Sequence, residues 1–176
     1  RDPIMSALNQ LGDRSVVKDM IKGMTAKHFV KTCVKLGYAS KEACAKDKAA
    51  MFGAVKAATD HASNLAGAAH YDAYQKVIDG TEVPEIKKYI EERMVRVAAA
   101  KECDEDSACW VKKLTDKSHL VREKAAWELK RKADPSTLGA LKKALRDKNT
   151  YVRSAAISAY WSFGDKSAVA DIEQQL

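Results

Sequence analysis

Apolar residues recur at three- and four-residue spacings along most of the chain, which is the signature of amphipathic helices. No alternating run of the strand type appears. The pattern is clearest in the C-terminal half. Residues 107–115 place Ala108, Trp110, Val111 and Leu114 at helical spacing, and the polar break Asp116-Lys117-Ser118-His119 follows. A second helix is predicted from about Leu120 to Lys132, with Val121, Ala125, Ala126 and Leu129 on one stripe. Asp134-Pro135-Ser136 ends it, because proline cannot continue a helix but suits the first turn of the next.

The N-terminal half is less regular. Thr25 to Leu36 reads as a helix with Thr25 as N-cap, Phe29, Val30, Cys33 and Val34 apolar, and Gly37 at its C-terminus. Ser40 is expected to cap a helix that runs on through an alanine-rich stretch with Phe52, Val55, Ala62, Leu65 and Ala69. Tyr71 to Ile78 either continues that helix or forms a short one of its own. Gly80 to Pro84 is the clearest turn, and Ile86, Ile90, Met94 and Val97 follow at helical spacing. Residues 82–102 read either as one long helix or as a degenerate repeat.

The C-terminal pattern repeats. KKLTDKSHLVR at 112–122 aligns with KALRDKNTYVR at 143–153 at an offset of 31 residues. Leu114 maps to Leu145, Asp116 to Asp147, Val121 to Val152 and Arg122 to Arg153. A further step takes Asp134 to Asp165, Leu141 to Ile172 and Leu145 to Leu176. A fixed period of this size means stacked supersecondary units with a shared core. The run L-x-D-x-x-x-x-V-R-x-x-A, at Leu114 to Ala125 and Leu145 to Ala156, resembles HEAT-like repeats of the short bacterial phycobilin-lyase type. Phe163 to Val169 (FGDKSAV) resembles the junction between such repeats. The resemblance is specific to residues 101–176. It implies an all-α, right-handed α-solenoid of helical hairpins, with second helices lining a concave face, and no catalytic activity. Residues 11–20 also match 163–172, so the expected organisation is one continuous solenoid. In it, 1–24 holds the end of a truncated repeat and the first helix of the next. Irregular helical repeats follow over 25–80, and HEAT-like repeats over 81–176, the last of them either complete or truncated. The chain reads as a fragment of a longer protein.

Composition agrees with helix, with three prolines and eight glycines in 176 residues leaving few breaks. No apolar run is long enough to span a bilayer. The four cysteines form two mirrored pairs about predicted helix–helix turns: Cys33 and Cys44 around Gly37 to Ser40, Cys103 and Cys109 around Asp104 to Ser107. Two local disulfides would staple two α-hairpins and favour a periplasmic or secreted setting. Four buried free thiols are the competing reading, and a zinc site is disfavoured by the lack of C-x-x-C spacing.

Net charge is +7, and residues 112–153 carry 13 Lys/Arg against five Asp/Glu. Such a basic stripe suits nucleic acid or an anionic surface, or simply solvates the repeat. No clear nucleic-acid-reading motif accompanies it. Asp116, Arg122, Asp147 and Arg153 occupy equivalent places and suggest a carboxylate–guanidinium ladder between stacked units. On the helical wheel Glu123, Trp127, Lys130 and Arg131 lie opposite the buried stripe, with Ser158 and Trp161 among their equivalents one repeat on. These six are the candidate partner-binding residues, tryptophan and arginine being enriched at hot spots. The alternative for Trp127 and Trp161 is packing within the stack, and Trp110 is expected in the core. The four histidines lack ligand spacing, with His61 and His70 on opposite faces of a predicted helix, and no nucleophile or phosphate-loop motif is present. The sequence therefore points to a protein-interaction scaffold without a cofactor, with electrostatic binding of nucleic acid or an anionic surface as the alternative.

Overall fold

The computed structural model of the chain describes residues 14–164. Among the described residues all regular secondary structure is helical. The chain divides into two compact units, 1–101 and 102–176. Each is described by itself.

The first unit contains α1 (Val17–Gly23), α2 (Ala26–Lys35), α3 (Lys41–Lys46), α4 (Lys48–Leu65), a 3-10 turn (Ala68–His70) and α5 (Tyr71–Asp79). It also takes α6 (Pro84–Cys103) as far as Lys101. Caps set several of these boundaries. Thr25 accepts from the His28 amide, Ser40 from the Ala43 amide, and Gly37 takes the left-handed conformation (φ +73°) that ends α2. The single helix expected from Ser40 onward is instead two. Asp47 leaves the helical region (ψ 76°), and its carboxylate accepts from the Ala50 amide at 2.9 Å, which restarts the chain as α4. Tyr71 opens its own helix, and residues 84–103 form one uninterrupted helix. His61 and His70 therefore sit on different elements, α4 and the 3-10 turn.

The core of this unit gathers Val17, Met20, Ile21 and Met24 from α1 and its cap, and Met51, Val55, Ala62 and Leu65 from α4. Tyr74 and Ile78 of α5 and Ile86, Ile90 and Val97 of α6 complete it. A polar seam joins α4 to α6: Tyr89 donates to the Asp60 carboxylate at 2.8 Å, and Arg93 pairs with it at 3.1 Å while lying 3.6 Å over the Tyr89 ring. Helix α2 touches this core through the partly buried Ala26, Phe29 and Val30, and none of its residues is fully buried.

The second unit contains α7 (Ser107–Lys113), α8 (His119–Lys132), a 3-10 turn (Pro135–Thr137), α9 (Leu138–Ala144) and α10 (Thr150–Ser162). The starts of α7 and α9, Ser107 and Leu138, and those of α8 and α10, His119 and Thr150, are each 31 residues apart. The sequence period is therefore a structural one: two helical hairpins with the same internal register. Trp110 and its equivalent Leu141 are both fully buried, as are Ala125, Ala126, Leu129, Val152, Ala156 and Ala159. The small alanine side chains of α8 and α10 let these two contacting helices approach closely. The steps that carry the period to Asp165, Ile172 and Leu176, and most of the 11–20/163–172 match, lie outside the described residues.

Both disulfides expected from the mirrored spacing are present. Cys33–Cys44 staples α2 to α3, with Cα atoms 6.1 Å apart, and Cys103–Cys109 joins the end of α6 to α7 at 5.3 Å. Neither the free-thiol nor the zinc reading survives, because every cysteine is paired. No described helix is long and apolar enough to cross a membrane.

Candidate functional site

The repeat register places the four ladder residues in equivalent geometry. Arg122 Nη1 donates to the carbonyls of Asp116 (2.8 Å) and Lys117 (3.2 Å), and so ties the turn before α8 to that helix. Arg153 Nη1 does the same to the carbonyls of Asp147 (2.9 Å) and Lys148 (3.3 Å) before α10. The carboxylates are also alike: Asp116 accepts from the Ser118 amide and Asp147 from the Asn149 amide, each at 2.8 Å. The link between repeats is the planar fork of Arg122, whose Nε and Nη2 meet the two oxygens of Asp147 at 2.7 and 2.9 Å. Both side chains are nearly buried, at 7% and 11% exposure. The bidentate hydrogen bonds hold the Asp147 carboxyl below its ordinary range and push the Arg122 guanidinium up. Among the described residues Arg153 has no equivalent carboxylate.

The candidate partner face divides in two. Glu123, Trp127 and Lys130 lie along one side of α8 and are half-buried. On α10, Ser158 and Trp161 follow on the corresponding side, and Lys130 Nζ bonds Ser158 Oγ at 3.1 Å across the repeat boundary. The same ammonium lies 5.2 Å from the Trp127 ring centroid, and partial burial pulls its pKa down. Trp161 remains 53% exposed. One residue missed at the sequence level belongs with it. Tyr151 is 61% exposed and shares a helical side with Ser154, Ser158 and Trp161 at i, i+3, i+7 and i+10. The signal was available, since Asn149 caps α10 by accepting from the Tyr151 and Val152 amides and so fixes where the helical count begins.

Arg131 plays a different part. Its Nε pairs with Glu128 at 2.9 Å and its Nη2 with Glu105 at 2.8 Å, while Lys132 meets the other Glu105 oxygen at 2.6 Å. Lys132, with Arg131 beside it, holds the Glu105 carboxyl below its usual value. Lys124 is fully buried and pairs with Glu128 at 2.9 Å. The two-sided wheel thus fails for α8: Lys124 and Glu128, neither on the apolar stripe, are buried as an ion pair.

This network also changes the meaning of the basic stripe. Lys113, Arg122, Lys124, Arg131 and Lys132 are all paired with carboxylates of their own unit, namely Glu102, Asp147, Glu128 and Glu105. Five of the thirteen Lys and Arg residues of 112–153 are thus committed to carboxylates, and two of the four carboxylates, Glu102 and Glu105, lie outside that stretch. Among the described residues no group of three or more His, Cys, Asp or Glu is arranged to hold a metal ion.

Paired helices repeating at a fixed register, locked by an Asp–Arg fork, define a helical-repeat protein. Residues 108–176 match the family of HEAT repeats. HEAT repeats in general serve as protein-interaction scaffolds. No curated protein matches the chain.

Proposed function

We propose that the protein is an interaction scaffold that docks a protein partner on the side shared by α8 and α10, the concave side of a solenoid. The observation that carries this reading is the pair of exposed aromatics, Tyr151 and Trp161. They flank Ser158, which Lys130 ties to the Trp127 edge of the preceding repeat. Large aromatics on a side held fixed by a cross-repeat bond supply contact area at little ordering cost. The pairing of Lys113, Arg122, Lys124, Arg131 and Lys132 with carboxylates of their own unit commits part of the basic stripe to the fold. The two disulfides fit an oxidising compartment, either periplasmic or extracellular.

The test is capture of interacting proteins by the wild type and by Tyr151→Ala/Trp161→Ala, alongside binding of labelled duplex and single-stranded nucleic acid across a salt series. A partner lost in the variant and held through moderate salt supports docking on this side. Equal capture by the two proteins overturns it. Nucleic-acid binding that falls steeply with salt returns the electrostatic alternative, because released counterions set that slope.

A further inference from the structure

The α2–α3 hairpin of the first unit has features that the scaffold reading does not use. Every residue from Val34 to Ala43 is exposed, and the stretch includes three large apolar side chains: Val34 at 43%, Leu36 at 61% and Tyr38 at 79%. Single exposed hydrophobics are ordinary on a protein surface. Three within five residues at an exposed turn are not, and such patches mark interaction sites.

The backbone explains why they face outward. The Tyr38 amide bonds the Cys33 carbonyl at 3.2 Å and the Gly37 amide bonds the Val34 carbonyl at 3.0 Å, with Gly37 left-handed between them. This is the Schellman closure, in which the residue at the Tyr38 position commonly folds its apolar side chain back onto the one at the Cys33 position. Here Cys33 is committed to the disulfide with Cys44, and Tyr38 stays in the open. The staple therefore fixes an apolar tip instead of letting it collapse.

The surroundings of the tip are basic. Lys31, Lys35, Lys41 and Lys46 are all exposed, and Glu42 is the lone acidic residue between positions 31 and 46. An occupant must then offer negative charge around an apolar interior. The tip's three large apolar side chains stand exposed at the turn, and burying all of them needs a medium that closes around them. A bilayer interface does this. Apolar groups insert to the depth of the acyl boundary, tyrosine favours the headgroup level, and lysines extend their stems to reach anionic phosphates.

We propose that the disulfide-stapled α2–α3 tip is a peripheral docking site for anionic lipid bilayers, with Leu36 and Tyr38 inserting and Lys31, Lys35, Lys41 and Lys46 meeting the headgroups. The test is sedimentation of the full chain with vesicles of phosphatidylcholine alone and with about one-third phosphatidylglycerol. Binding is expected only to the anionic vesicles, and Leu36→Ser/Tyr38→Ser should weaken it about tenfold or more with an unchanged helical spectrum and melting temperature. Tyr38→Trp supplies a second readout. In anionic vesicles carrying brominated acyl chains its fluorescence should be quenched beyond that of the wild type, a result that binding through any other basic surface would not give. Equal binding by wild type and Leu36→Ser/Tyr38→Ser, or no added quenching at position 38, overturns the proposal. So does tip-dependent binding of a polyglutamate peptide without binding of vesicles, which would assign the site to an acidic protein.

Discussion

Arg122 and Arg153 form a natural experiment within one chain. Each donates to the two carbonyls of its own turn, but among the described residues only Arg122 also holds a carboxylate, that of Asp147. Arg122→Met removes four hydrogen bonds and leaves Asp147, 11% exposed, without its cation. Stripping one partner from a nearly buried ion pair costs about 3–5 kcal/mol. Arg153→Met removes two bonds to carbonyls that solvent reaches in part, a loss of about 1 kcal/mol. The difference, about 2–4 kcal/mol, is the contribution of the inter-repeat fork. In a chain of this size each kcal/mol moves the melting temperature by about 2–4 °C, so Arg122→Met should melt roughly 6–20 °C low.

The assay is thermal and urea unfolding of both variants followed by circular dichroism, with Asp147→Asn added to close a double-mutant cycle. The pH dependence carries an independent sign. Asp147 titrates lower in the folded state than its unfolded value of about 3.9. Its contribution is therefore fully present above that value and lost as pH falls through the depressed folded pKa. The stability gap between wild type and Arg122→Met should hold from neutral pH to about pH 5 and narrow towards pH 3. Equal costs for Arg122→Met and Arg153→Met, or a gap that does not change on acidification, would refute the assignment of the fork as the inter-repeat lock.

Other outcomes follow from the same geometry. Trp110 is fully buried and its indole donates to the Asp104 carbonyl at 2.8 Å, so Trp110→Ala should cost about 3–5 kcal/mol in unfolding experiments. Glu128 sits between Lys124 and Arg131, so Glu128→Gln sets two cations against each other and should destabilise more than Lys124→Met, which leaves the Arg131 pair in place; chemical denaturation of both variants compares them. Ala133 ends α8 in the left-handed region (φ 50°), where glycine is free of the Cβ penalty, and Ala133→Gly should raise stability by about 0.5 kcal/mol in urea melts. Non-reducing alkylation followed by mass spectrometry should label no cysteine, and reduction should lower stability by about 2–3 kcal/mol per bridge.

The fold of the second unit was legible because its information is local and stated twice. The polar breaks at Asp116 and Asp147 and the Val-Arg-x-x-Ala runs fix both hairpins. The mirrored cysteine spacing fixed both bridges for a similar reason, since a helix–turn–helix brings equidistant positions together. The break at Asp47 was harder to see: a lone Asp inside an alanine- and lysine-rich stretch has high helical propensity on both sides, and only its capping bond to Ala50 decides. The candidate face was read in outline, with Trp127, Lys130, Ser158 and Trp161 brought to one side. Arg131 and the buried Lys124–Glu128 pair were not foreseen as a network, because Glu105 reaches Arg131 and Lys132 from 26 and 27 residues away, and a wheel drawn on one helix contains no such partner.

That network bears on how a scaffold of this kind separates stability from binding. A surface rich in Lys and Arg could serve either end, and sequence counts treat all such residues alike. Here several of the cations on or next to α8 are committed inward, to Asp147, Glu128 and Glu105. The residues proposed to meet a partner are aromatics and serines on α10, beside the Lys130–Ser158 bond. In the proposed division, charge holds the repeats in register and the exposed rings of Tyr151 and Trp161 present the contact. If this division is correct, substitutions at Tyr151 and Trp161 should alter partner capture with melting temperature unchanged. Arg122→Met should lower the melting temperature and leave the capture of partner by the folded fraction intact. A variant of Tyr151 or Trp161 that melted as low as Arg122→Met would mean that the rings belong to the packing, and the proposed docking side would have to be abandoned.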